Sequence, residues 1–356
     1  MTALAKILAA RIRANGPISL ADYMTECLLH PTLGYYTTRE PFGLSGDFTT
    51  APEISQMFGE ILGLCLAQTW LNQGAPTPFT LAEIGPGRGT LMADALRATR
   101  NVPGFHAAMR LTLIEASPRL RALQEATLKP YAPVWLDTVK DLSDLPLYLV
   151  ANEFFDALPI RQFQRTGLGW RERLVGQDFS DLATAGLTFG LGPNLPVSAL
   201  SHRLTDTTDG QIVEVCPQAQ PIMSEIALRL THRGAALIID YGDWRALGDT
   251  FQALRGHTFA DPFATPGAAD LTAHVDFEAL ANAAAPASHA FTTQGAFLAA
   301  LGIQQRSARL AQNISGAALQ SHLAATHRLT AATEMGTLFK VLALYPAQFP
   351  PPPGSA

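Results

Sequence analysis

Apolar residues at Leu4, Ile7, Leu8 and Ile12 fall on one stripe of a helical repeat that Gly16-Pro17 closes, so an amphipathic helix is expected at the N-terminus. Helical character continues to about residue 75, with residues 53–70 reading as one long helix and residues 31–52 as irregular. The pattern then changes. Residues 81–84, 110–114, 134–136, 147–151 and 235–239 are short apolar runs that end in polar or turn residues. Helix-compatible stretches between the first of these runs predict an open α/β sheet with parallel strands buried on both faces. Residues 161–176 alternate as an added β-hairpin would, and residues 336–344 read as a terminal strand with residues 288–292 as its partner. The close, Phe349-Pro350-Pro351-Pro352-Pro353-Gly354-Ser355-Ala356, is expected to be an extended tail or linker.

Composition narrows the class. A chain of 356 residues, 47% hydrophobic, can bury a large core in one big domain or two modest ones. Its formal charge of −5 leaves no electrostatic footprint for nucleic acid. Cys27, Cys65 and Cys216 form neither a disulfide framework nor a zinc spacing, which fits a reducing compartment. No apolar run approaches the ~20 residues of a membrane span, so no stable membrane insertion is expected. The basic, amphipathic N-terminus could be a short transit peptide, but its regular stripe favours a folded helix.

Chemistry enters at Leu81-Ala82-Glu83-Ile84-Gly85-Pro86-Gly87-Arg88-Gly89-Thr90-Leu91. A strand carrying an acid breaks into alternate glycines and then enters a helix, the nucleotide-binding corner of an open α/β sheet. The third glycine comes one residue too early for a pyrophosphate cradle, and Pro86 removes an amide donor. The acid ahead of the turn suits a cationic ligand, and E-x-G-x-G-x-G is the pattern associated with S-adenosylmethionine (SAM). Glu83, Gly85, Pro86, Gly87 and Gly89 are therefore candidate cofactor residues. A second acid, Glu115, ends the next strand about 30 residues after the turn, where a carboxylate commonly takes ribose hydroxyls. Ser117 and Pro118 are placed to cap and open the following helix. Asp137 ends the third strand and Asn152 the fourth, and both join the cofactor set.

Asn152-Glu153-Phe154-Phe155-Asp156 puts an amide, two acids and two flat walls at the carboxyl edge of the sheet, a set suited to a cationic or planar nitrogen nucleophile. A capped helix with acids in its first turn is the structural alternative. The loop Gly43-Leu44-Ser45-Gly46-Asp47-Phe48-Thr49-Thr50-Ala51-Pro52-Glu53 could close over a ligand or simply be a capped loop before a helix. Asp270-Leu271-Thr272-Ala273-His274-Val275-Asp276-Phe277 offers a His–Asp base pair or a helix starting near Asp276; a metal site would need a further ligand and a second shell, neither identifiable in the sequence, and no metal is expected.

These segments, together with Asp240-Tyr241-Gly242 and Met335-Gly336-Thr337-Leu338-Phe339-Lys340, resemble the MidA family, which comprises mitochondrial complex I assembly factor seven and its bacterial relatives. The resemblance spans nearly the whole chain. It implies a class I methyltransferase with a Rossmann-like seven-stranded sheet, an N-terminal helical region and inserted segments. Residues 1–75 would form a helical cap, residues 76–348 the methyltransferase domain with insertions at about 160–232 and 243–290, and residues 349–356 the tail. It further implies a SAM-dependent protein arginine methyltransferase making symmetric dimethylarginine on a core subunit of respiratory complex I. The compartment would be the bacterial cytoplasm, or the mitochondrial matrix in a eukaryote. Glu153 and Asp156 are the expected grip on the guanidinium, with Asp47 and His274 as further candidates from flanking segments. A methyltransferase for another substrate and a non-enzymatic assembly factor that keeps the fold are the alternatives; an NAD oxidoreductase fits the turn less well.

Overall fold

The structure is a computed structural model that describes residues 2–38, 50–178 and 186–355. It divides into two compact units, one containing residues 50–155, 219–244 and 277–355, the other residues 2–38, 156–178, 186–218 and 245–276.

Among its described residues the first unit holds seven strands: β1 (Phe79–Ile84), β2 (Met109–Ile114), β3 (Val134–Leu136), β4 (Leu147–Asn152), β5 (Gly234–Asp243), β6 (Ser288–Thr293) and β7 (Phe339–Tyr345). Their spatial order is β6-β7-β5-β4-β1-β2-β3. β1 to β5 run parallel, and β7 is antiparallel to both β5 and β6. Every residue of β1 and β4 is buried, as continuous apolar runs covered on both faces require. The chain starts at β1, builds outward to β3, then returns to place β4 on the other side of β1. That reversal is a topological switch point at the carboxyl ends of β1 and β4, the place where open α/β sheets bind ligands.

Met57, Phe58, Leu62, Leu66 and Trp70 join β-strand residues such as Phe79, Leu81, Val150 and Leu237 in this unit's core. The long helix expected over residues 53–70 is two helices, Ala51–Ile54 and Gln56–Asn72. Ser55 separates them because its backbone is extended and its hydroxyl accepts the Met57 N–H at 3.2 Å, a local bond that competes with helix continuation. The Pro-rich close also differs from an extended tail. Cys65 Sγ contacts the Pro353 carbonyl at 3.4 Å, and Pro352 and Ser355 are buried.

In the second unit, the expected N-terminal helix spans Ala3–Asn15, with Gly16 at its end. Its buried face is Leu4, Ala5, Leu8, Ala9 and Ile12, whereas Ile7 is 47% exposed; the two alanines allow close approach on a side that Ile7 does not share. The predicted hairpin is present as Arg161–Thr166 and Gly169–Gln177, within a sheet that also holds Ile18–Ser19, Ile212–Val215 and Leu187–Leu195. A separate three-stranded sheet joins Thr258–Ala260, Gln252–Arg255 and Asp270–Thr272. Tyr23, Met24, Ile160, Val175 and Leu271 belong to the shared core. Among the described residues no helix is long and apolar enough to cross a membrane.

Candidate active site

The glycine turn leaves β1 with φ of +65° at Gly85, +53° at Gly87 and +79° at Gly89, a left-handed path that other residues enter at a cost. The Gly85 N–H donates to the Ile114 carbonyl at 3.0 Å, and the Gly89 N–H donates to Pro86 O at 2.7 Å. A Cβ added at Gly85 would come within 3.0 Å of Phe154 Cδ2, so the turn runs directly beneath that ring. Gly89 then begins the Thr90–Thr99 helix, and the Thr90 hydroxyl donates to Glu53 Oε1 at 2.6 Å.

Two acceptors beside the turn are conspicuous. Glu83 Oε2 and Asn152 Oδ1 are buried without a hydrogen-bond partner among the described residues. Both sit on the central strands, and each oxygen offers lone pairs to a donor. The ammonium of SAM is such a donor, so the residues present fit that cofactor. Burial pushes the Glu83 carboxyl up to about 8, so at pH 7 it holds a proton in the ligand-free protein. A folded-state pKa raised in this way lowers stability as pH climbs from the ordinary carboxylate range towards 8, because only the unfolded chain has released the proton. A cation arriving beside Glu83 reverses that preference. S-adenosyl-homocysteine binding at pH 7 is therefore expected to release about one proton, with affinity rising as pH approaches 8. Calorimetry in buffers of different ionisation enthalpy measures this directly. Glu83→Gln should abolish the release, and a wild-type protein that releases none would remove Glu83 from the ammonium site.

Glu115 Oε1 accepts the Ser117 N–H at 2.8 Å, and Ser117 caps the Pro118–Leu128 helix as expected. Burial raises the Glu115 carboxyl above its ordinary value, opposed by N–H donors from Ser117 and Gln124. Asp137 is placed differently. Its side chain is 82% exposed and is held by Arg121 at 2.6 Å, while the same guanidinium donates to the carbonyls of Glu115 and Leu136. Gln124, which motif reading passed over, is fully buried and connects Gly87, Glu115 and Trp135. Its sequence signal is a lone amide at the centre of the buried Leu120, Gln124, Leu128 stripe.

At the end of β4, Glu153 has φ of +50°, the left-handed region in a non-glycine residue. Such strain, of order 1–3 kcal/mol, persists only where surrounding bonds enforce it. Here the Glu153 N–H donates to Ile239 O at 2.9 Å, and Oε1 accepts the Ala51 N–H at 3.0 Å and Asn152 Nδ2 at 3.1 Å. The carboxylate is thus oriented by two donors and also caps the short Ala51–Ile54 helix. No helix follows β4 directly; residues 153–158 are bends and a turn, with Phe154 irregular. Phe155 is buried and Phe154 half-buried, and the Phe155 N–H donates to the buried Asp240 at 3.0 Å.

The other candidates lie in the second unit or outside the described residues. Asp156 is buried, and its carbonyl accepts the Ala273 N–H at 3.0 Å, which brings its backbone beside the His274 segment. Its charge, with that of Asp270, also helps hold the Tyr36 hydroxyl in its protonated form, behind the larger effect of burial. The backbone N–H of His274 donates to Thr250 Oγ1 at 2.8 Å; Asp276 accepts the Ala246 N–H at 3.2 Å and pairs with Arg203 at 3.5 Å. Asp47 lies outside the described residues.

A family profile of S-adenosyl-L-methionine-dependent methyltransferases matches residues 61–296, which contain the glycine turn, both buried acceptors and Glu153. The chain belongs to this family. The mitochondrial protein arginine methyltransferase NDUFAF7 of Xenopus tropicalis is 36% identical, over 97% of this chain and 86% of that protein. Its human counterpart is 36% identical, over 98% and 84%. A crystal structure from Burkholderia thailandensis bound to S-adenosyl-homocysteine matches with a TM-score of 0.81 and 32% identity, covering 96% of this chain and 92% of that one. The expected class I methyltransferase fold and SAM dependence both hold for this methyltransferase.

Proposed function

We propose that this methyltransferase modifies arginine side chains of a protein, making symmetric dimethylarginine on a core subunit of respiratory complex I during assembly. The observation that carries the reading is Glu153, a carboxylate fixed by two donors on a strained residue at the carboxyl edge of the sheet. The relatives named as protein arginine methyltransferases support it across nearly their whole length. By the same likeness the enzyme works in the bacterial cytoplasm, or in the matrix of a mitochondrion.

Glu83 and Asn152 would hold the ammonium of SAM, Glu115 the ribose hydroxyls, and the 85–89 turn the backbone face of the ligand. Bound SAM supplies an electrophilic methyl group on a sulfonium. Guanidinium is permanently charged in water and a poor nucleophile, so the protein must orient one nitrogen and receive its proton. Glu153 does both: it hydrogen-bonds the planar fork, points one nitrogen at the methyl position, and takes the proton shed as the N–C bond forms. Phe154 offers the fork a flat wall. Asp156, Asp47 and His274 are the further residues that the sequence nominates for this step. Positioning of this kind can supply ~7–11 kcal/mol of the barrier reduction when reactants are held in near-attack geometry.

The test incubates purified protein with methyl-labelled SAM and purified, incompletely assembled complex I, then maps the label by mass spectrometry. Label on arginine, with both terminal nitrogens bearing one methyl, is the expected result. Label on another side chain, or none while S-adenosyl-homocysteine still binds, would overturn the arginine assignment and leave the cofactor site standing.

A further inference from the structure

Leu120, Gln124 and Leu128 form the buried stripe of the Pro118–Leu128 helix. A fully buried amide in an apolar stripe is unfavourable unless its donors and acceptor are matched. At Gln124 they are matched by three separate elements. Oε1 accepts the Trp135 indole N–H at 2.8 Å, while Nε2 donates to the Gly87 carbonyl at 2.8 Å and to Glu115 Oε2 at 3.3 Å. An indole N–H can only donate, so Trp135 fixes which end of the amide is the oxygen. The NH2 group is thereby committed to the glycine turn and the acid that ends β2. Neither acceptor could tolerate the reversed amide.

We propose that Gln124 is a positioning residue of this methyltransferase, holding the Gly87 peptide and the Glu115 carboxylate in register for the cofactor. The inference rests on the assignment of the turn and of Glu115 to SAM. Gln124 acts through those two groups, and β3 takes part by orienting the amide through Trp135. A sequence change on β3 can in this way alter cofactor affinity without touching the ligand.

Gln124→Leu keeps the bulk and removes all three bonds. Calorimetry with S-adenosyl-homocysteine should show about a tenfold loss of affinity, the size of one or two uncompensated hydrogen bonds. A merely structural glutamine could weaken binding too, so the deciding readout is the pH profile. The Gln124 donor helps keep Glu115 ionised. Its loss should move the acid limb of the affinity profile to higher pH, and Glu115→Gln should erase that shift in the double variant. If Gln124→Leu folds poorly, Gln124→Met carries the same test. Wild type that fails to bind S-adenosyl-homocysteine overturns the cofactor site itself, and Gln124's role with it. Wild type that binds, beside a Gln124 variant with unchanged affinity and pH profile, overturns only the role of Gln124.

Discussion

Replacing Glu153 with Gln is expected to slow single-turnover methylation of an arginine substrate about 1,000-fold, within the range general-base groups contribute. Affinity for S-adenosyl-homocysteine should stay within about threefold, because the proposed cofactor contacts are Glu83, Asn152 and Glu115, and Gln at 153 still offers Asn152 an acceptor. The substitution is chosen for its geometry. Gln keeps a carbonyl oxygen that can accept the Ala51 and Asn152 N–H groups, so the Ala51–Ile54 helix keeps its cap. What disappears is the negative charge and the ability to take a proton. Rapid-quench measurement with labelled SAM, beside thermal unfolding of both proteins, separates the two roles. A rate within threefold of wild type at unchanged stability would reduce Glu153 to a helix cap. A loss of stability matching the loss of rate would say the same.

The sheet was legible because its strands are short, mostly apolar runs: residues 147–151 are unbroken, residues 81–84 are interrupted only by Glu83, and both lie within fully buried strands. The turn was legible because three alternate glycines after an acid leave few conformations open. Other features depend on packing that local pattern does not carry. Ile7 fits the helical stripe as well as Leu8 does, and only the close approach allowed by Ala5 and Ala9 decides which side is buried. Gln124 reads locally as a polar break in an apolar stripe, since its partners come from three distant elements. Glu153 and Asp156 read as one cluster because they stand three residues apart. In the fold, the boundary between the two units falls between Phe155 and Asp156. Asp156 joins the unit that holds Tyr36 and Asp270, because residues 2–38 pack with the inserted strands and that core is invisible to any short window.

Gly87→Val should abolish detectable S-adenosyl-homocysteine binding, a loss of at least 100-fold. Two costs combine. Gly87 sits at φ of +53°, where an L-residue pays about 1–2 kcal/mol and a β-branched one pays more. In the proposed site the side chain would also stand against the bound ligand. Gly87→Ala separates these costs, since it bears the backbone strain with little bulk and should lose about tenfold. The Gly87 carbonyl is tied to Gln124, so any rotation of this peptide that relieves the strain breaks that bond and disturbs the amide holding Glu115. The turn thus cannot relax one residue at a time. Calorimetric titration of the three proteins, each checked for cooperative unfolding, gives the answer. Full-strength binding by a folded Gly87→Val protein would mean that the ligand does not lie against this turn. The unpartnered acceptors Glu83 and Asn152 would then need another explanation.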